Sequence, residues 1–158
     1  MAEAAADRDT PYQTDDLTPS IGSEVQGIDL GRALDDATVA WLADLLVERT
    51  VLFFREQAIS PAQHIAFARR FGELEVHPFT RNSAQHPEII ELHNDRDNPP
   101  FINVWHSDVT WRREPSLGSV LRARVVPGTG GDTLFANMEA AYDALDEATK
   151  ARLDGLMA

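Results

Sequence analysis

Cysteine is absent from the 158-residue chain, which removes disulfide scaffolds, cysteine-ligated zinc, iron–sulfur clusters and thiol catalysis from consideration. Basic residues are scarce: Lys and Arg number 14 against 26 Asp and Glu, a formal charge of −12. Such a field repels nucleic acid and anionic membrane surfaces unless a local basic patch offsets it, and the sequence shows none. Also lacking is any apolar run near the roughly 20 residues that a membrane-spanning helix needs. Residues 1–16 (MAEAAADRDTPYQTDD) have neither the apolar segment of a secretory signal nor the arginine excess of a mitochondrial presequence, and read as a disordered leader. Glycine and proline, 9 of each, are too few for a collagen-like or low-complexity chain, and 43% hydrophobic content excludes wholesale disorder. The expectation is a soluble, cytoplasmic globular domain over 17–158, or part of a larger one, with neither nucleic acid nor membrane as partner.

What is present reads as an α+β order. Residues 21–30 alternate around Gly22 and Gly27 and predict one or two short strands with a turn. Asp35 and Asp36 precede Val39, Leu42, Leu45 and Leu46 at helical spacing, where carboxylates cap free N–H groups and suit the helix dipole. The run 50–54 (TVLFF) predicts a buried strand. Ser60, Pro61 and Gln63 form a capping-box signature for a helix with Ile65, Ala68 and Phe71 on one face, and Gly72 can end it. Three further strands are expected, at 88–92, 103–111 and 117–126, followed by helices capped by Asn137 and Asp146.

Chemistry concentrates at His106 and Asp108. Residues two apart on a strand share a face, so an imidazole and a carboxylate at this spacing can occupy adjacent corners of one metal ion. One further ligand would complete the two-histidine, one-carboxylate triad of non-haem Fe(II) oxygenases. A His-x-Asp pair also describes an ion pair on a solvated strand face. The Gly130-Gly131-Asp132-Thr133 turn follows at a distance one returning strand would span, and the Thr133 hydroxyl could donate to the carboxylate of an iron-bound organic acid; a hairpin Thr merely paired in the sheet is the plainer alternative. Of the other histidines, His64, His86 and His93 read as surface or turn residues, and His77 is open between a structural and a functional role.

Five pieces occur in a fixed order: residues 22–30 (GSEVQGIDL), 51–55 (VLFFR), 71–74 (FGEL) with His77-Pro78, 105–110 (WHSDVT), and 130–133 (GGDT). Together they resemble the taurine/2-oxoglutarate dioxygenase (TauD/TfdA) family. That resemblance implies a double-stranded β-helix, a cupin-like jelly roll with flanking helices, using Fe(II), 2-oxoglutarate and O2. It makes His106 and Asp108 iron ligands, Thr133 a 2-oxoglutarate contact, and His77 a contact to the substrate's acidic head group. Asn103, one residue off the family spacing, is the candidate for a substrate-contacting amide. Thr80 stands where taurine-specific members carry an aromatic residue. The implied substrate is a small anionic organic molecule (a sulfonate, sulfate ester, or aryloxy or alkyl acid), hydroxylated beside its heteroatom.

The family's distal iron-binding His and 2-oxoglutarate-binding Arg lie well downstream of the His-x-Asp pair. Here no histidine follows His106, and the basic residues after Arg124 are Lys150 and Arg152 alone. The resemblance therefore implies an N-terminal portion of such a domain, inactive by itself, with an incomplete β-helix whose open strand edges favour self-association into homo-oligomers. The alternative is a non-catalytic metal- or ligand-binding domain on the same β scaffold.

Overall fold

A computed structural model describes residues 11–77, 82–99, 104–110 and 112–156. Its sheet is formed early in the chain. Strand β1 (Gln13–Asp16) runs antiparallel to β2 (Ser23–Gln26), with Gln13 opposite Gln26 and Asp16 opposite Ser23. The expected leader therefore does not reach Asp16: the last four of its residues find a ladder partner in β2 and pair. Gly22 closes the hairpin at φ +84, where Leu17 N–H donates to its carbonyl. A side chain at Gly22 would be strained by that φ, although its Cβ would meet the Phe53 ring only at ordinary contact distance.

Helix α1 (Asp36–Arg49) starts where the carboxylates predict. Asp35 accepts from the Thr38 N–H at 2.7 Å, and that bond holds its carboxyl below the ordinary aspartate range. The chain then returns as β3 (Leu52–Phe53), parallel to β2, giving the order β1-β2-β3. Helix α2 (Pro61–Ala68) carries the full capping box: Gln63 N–H donates to Ser60 Oγ, and Ser60 N–H donates back to Gln63 Oε1. It tightens into a 3-10 turn over Arg69–Phe71, and Gly72 stops it at φ +148, a conformation glycine adopts most readily.

The core lies between this small sheet and the two helices. Val25, Ile28, Leu30, Leu42, Ile59 and Phe67 form one buried cluster, and Phe67 makes edge-on contacts with Phe54 and Phe71. Burying each such side chain contributes about 1.5–3 kcal/mol. One buried cation sits at its rim. Arg49 donates through Nε to Ser23 Oγ (2.8 Å) and through Nη2 to the Thr18 carbonyl (2.7 Å), and it lies 3.2 Å from Asp16 Oδ1.

After Gly72 the chain differs from expectation. No strand forms over 88–92, where a single antiparallel bridge joins Ile90 to Asn82. The described residues of 103–111 and all of 117–126 are likewise irregular. Their apolar, β-branched residues suit strands, but a strand persists only when a neighbour fills its hydrogen-bond ladder, and none does so among the described residues. The last two helices need no such partner and appear as expected: α3 (Met138–Asp143) capped by Asn137, and α4 (Glu147–Leu153) capped by Asp146. Among the described residues, contacts that tie this half to the first include Asn137 Nδ2 donating to the Ser20 carbonyl (2.7 Å), Phe135 edge-on to the Phe53 ring, His64 Nε2 donating to the Val120 carbonyl (2.9 Å) and Arg69 Nη2 donating to Glu88 Oε1 (2.7 Å). The fold class is thus α+β in content, with a three-stranded mixed sheet among the described residues rather than a closed β-helix.

Candidate metal centre

His106 and Asp108 are brought together, though not by a pleat. Asp108 opens a turn through Thr110, Val109 adopts φ +57, and Arg112 N–H donates to the Val109 carbonyl at 3.1 Å. This turn, not strand alternation, carries the carboxylate to the imidazole, with His106 Nε2 3.4 Å from Asp108 Oδ1. A positive φ at a β-branched residue is uncommon and costs on the order of 1–3 kcal/mol, so surrounding contacts must hold it.

The other face of the imidazole is committed. His106 Nδ1 lies 3.0 Å from the Val104 carbonyl, which can only accept, so the proton sits on Nδ1. In the neutral ring Nε2 then carries the lone pair, 3.4 Å from a carboxylate oxygen. A cation or a proton between the two acceptors would turn that proximity into attraction. With metal–ligand bonds of about 2.0–2.2 Å, donors on adjacent octahedral corners stand about 3 Å apart, so the observed separation admits one ion with little movement. The carbonyl behind Nδ1 is the kind of outer contact that orients metal-binding imidazoles. Imidazole plus carboxylate suits Fe(II), and both side chains are accessible, at 51% and 70% exposure. Among the described residues no group of three His, Cys, Asp or Glu gathers around one point.

The remaining candidates are placed less closely. His77 is half-buried at the end of the segment that follows Gly72, and its carbonyl accepts from Asn82 Nδ2 at 3.0 Å. Thr133 is exposed, just after Gly130 and Gly131, both at φ +74. Asn103 lies outside the described residues, as does Thr80. His93 is exposed and pairs with Asp95 at 2.8 Å, a bond that holds the Asp95 carboxyl below its usual range. His64, expected at the surface, is half-buried and docked on Val120.

Sequence reasoning passed over Glu75 and Arg112. Arg112 Nη2 contacts Glu75 Oε1, an oxygen buried from solvent, and Ser116 Oγ donates to Glu75 Oε2 at 3.1 Å. One carboxylate thereby binds both ends of 112–116. Glu75 also stands two residues before His77, so it joins the segment bearing His77 to the loop bearing His106 and Asp108. The visible signal was a carboxylate within an otherwise partly apolar stretch before His77; its partner, 37 positions on, had none.

Comparison with known proteins covers most of the chain. The family described as taurine catabolism dioxygenase TauD, TfdA matches residues 13–158. An alkylsulfatase of Acinetobacter baylyi is 39% identical over 90% of this chain and 44% of its own length. An (S)-phenoxypropionate/alpha-ketoglutarate dioxygenase of Sphingobium herbicidovorans is 40% identical over 90% of this chain and 50% of its own. The crystal structure of a taurine dioxygenase from Burkholderia xenovorans superposes with a TM-score of 0.79 at 35% identity, covering 91% of this chain and 51% of that one. The chain spans about half the length of the curated relatives it matches.

Proposed function

The chain belongs to the taurine catabolism dioxygenase TauD, TfdA family, and from that membership we propose that it forms the N-terminal part of an Fe(II)- and 2-oxoglutarate-dependent dioxygenase, acting on a small anionic substrate. The observation that carries this reading is the proximity of the His106 Nε2 to the Asp108 carboxylate, 3.4 Å apart, with Nδ1 already held by a carbonyl. When bound, Fe(II) with 2-oxoglutarate and O2 supplies the oxidising power to hydroxylate a C–H bond.

The residues of this chain have positioning work in that scheme. His106 and Asp108 would hold the metal, and the Val104 carbonyl, accepting from Nδ1, would orient the ring. Thr133 donates its hydroxyl to a carboxylate oxygen of 2-oxoglutarate. His77 donates to the anionic head group of the substrate, and Asn103 contributes an amide. The substrate class is a sulfonate, sulfate ester or aryloxy acid, a range supported by the names of the relatives that match. The third ligand, the 2-oxoglutarate-binding arginine and the strands that complete a double-stranded β-helix belong to a further stretch of the domain. Relatives about twice as long as the matched stretch support that division. A cytoplasmic location goes with the same reading.

Anaerobic addition of Fe(II) and then 2-oxoglutarate to the chain tests it. A weak visible charge-transfer band in the wild type, lost in His106→Ala, is the expected result; spectra unchanged by 2-oxoglutarate in both overturn the assignment. Succinate formation by this chain alone would overturn the division of the domain.

A further inference from the structure

We propose that Glu75 is the positioning residue of the metal pair: through Arg112 it holds the strained Asp108–Thr110 turn in the form that keeps the Asp108 carboxylate beside His106. The proposal rests on the metal-binding reading above and concerns a residue that does not itself touch the ion. Three observations carry it. Val109 sits at φ +57, a conformation its branched side chain disfavours, so the turn needs an external hold. The hold at hand is Arg112, whose backbone N–H closes the turn on the Val109 carbonyl. Arg112 is in turn anchored by its guanidinium on Glu75 Oε1, a buried oxygen, while Ser116 fixes the second oxygen.

The lever is short and stiff. The Arg112–Glu75 contact is a close charge pairing without hydrogen-bond geometry at Oε1, and the Glu75 side chain is only 30% exposed, so water screens the pairing little. Loss of the anchor lets Arg112 leave, the turn relax to an ordinary φ, and the Asp108 carboxylate swing away from the imidazole. Outer contacts of this kind change metal affinity by about 10- to 100-fold when removed.

Mn(II) titration followed by electron paramagnetic resonance reads the effect without any turnover. Affinity should fall about tenfold in Glu75→Gln, a change of nearly equal shape, and by a similar factor in Arg112→Gln. The charge-reversed pair Glu75→Arg/Arg112→Glu should recover part of it. In an Asp108→Asn background, Glu75→Gln should have no further effect, because the carboxylate it positions is already gone; a general loss of structure would persist there. Wild-type affinity in Glu75→Gln with loss in Asp108→Asn overturns the positioning role and leaves the metal pair standing. Equal affinity in wild type and Asp108→Asn overturns the metal reading and this proposal with it. Circular dichroism monitors folding, and Ser116→Ala, which removes one hydrogen bond only, gives a milder loss in the same direction if Glu75→Gln unfolds.

Discussion

Replacing Arg49 by Met should destabilise the protein more than any single change on the β1–β2 hairpin surface. Methionine retains the apolar stem that fills the rim of the core, so the loss is confined to the guanidinium. Besides a long contact to the Gly22 carbonyl (3.4 Å), two charge-assisted hydrogen bonds disappear, to Ser23 Oγ and the Thr18 carbonyl. Each is worth about 1.5–3 kcal/mol. The contact to Asp16 adds little, because that carboxylate is 58% exposed and water screens it. Against the loss stands the relief of a buried cation's desolvation, and the Thr18 carbonyl lies near enough to the surface to bind water instead. Ser23, fully buried, keeps its hydroxyl paired with Asp16 Oδ1 at 2.6 Å. The net cost is therefore about 2–3 kcal/mol, read as a lower urea midpoint at constant slope. Asp16→Asn, which preserves an acceptor for Ser23, should cost about 1 kcal/mol or less. An Arg49→Met variant within about 0.5 kcal/mol of wild type would refute the reasoning, since surface changes fall in that band. Equal losses in both variants would show that the ion pair, not the buried hydrogen bonds, secures the hairpin.

Three further outcomes are expected. On the proposed reading, His77→Ala in an active dioxygenase containing this chain should raise KM for sulfonates or sulfate esters while uncoupled 2-oxoglutarate consumption stays measurable, and an unchanged KM across anionic substrates would leave His77 a structural role only. Asp35 and Asp146 are held below the ordinary aspartate range by their cap bonds to Thr38 and Thr149; a depressed folded-state pKa gives stability that is present above the unfolded value near pH 4 and lost as pH falls through the folded one. Asp35→Ala should accordingly flatten the acid limb of the stability–pH curve below about pH 4, as followed by thermal melts. Leu117, Leu121, Val125 and Val126 are largely exposed, and apolar surface of that extent favours association, so sedimentation velocity should show concentration-dependent self-association that Leu121→Glu/Val125→Glu reduces; a strictly monomeric wild type would contradict this.

Local chemistry was legible without coordinates wherever the interactions are local. The caps at Asp35, Ser60, Asn137 and Asp146 each bond within three residues, and every helix they announce is present. The ordered motifs, too, pointed to the family that residues 13–158 match. The His106–Asp108 pair was identified from its spacing, yet for a geometry the molecule does not use: a turn at Val109 joins them, because a two-residue separation is served equally by a pleat or a tight turn.

Three features depended on the tertiary structure. Residues 13–16 pair with β2, and no composition rule marks four polar residues as a strand when their partner lies across a hairpin. The apolar runs at 88–92 and 117–126 stay irregular, since a strand's hydrogen bonds come from elsewhere in the chain and here the described residues do not provide them. Arg49 on Ser23 and Thr18, and Arg112 on Glu75, are charges met by partners 26 to 37 positions away. A helix satisfies its own backbone within four residues, so its sequence is enough to announce it. Strand ladders and buried ion pairs take their energy from segments that only the folded chain brings together.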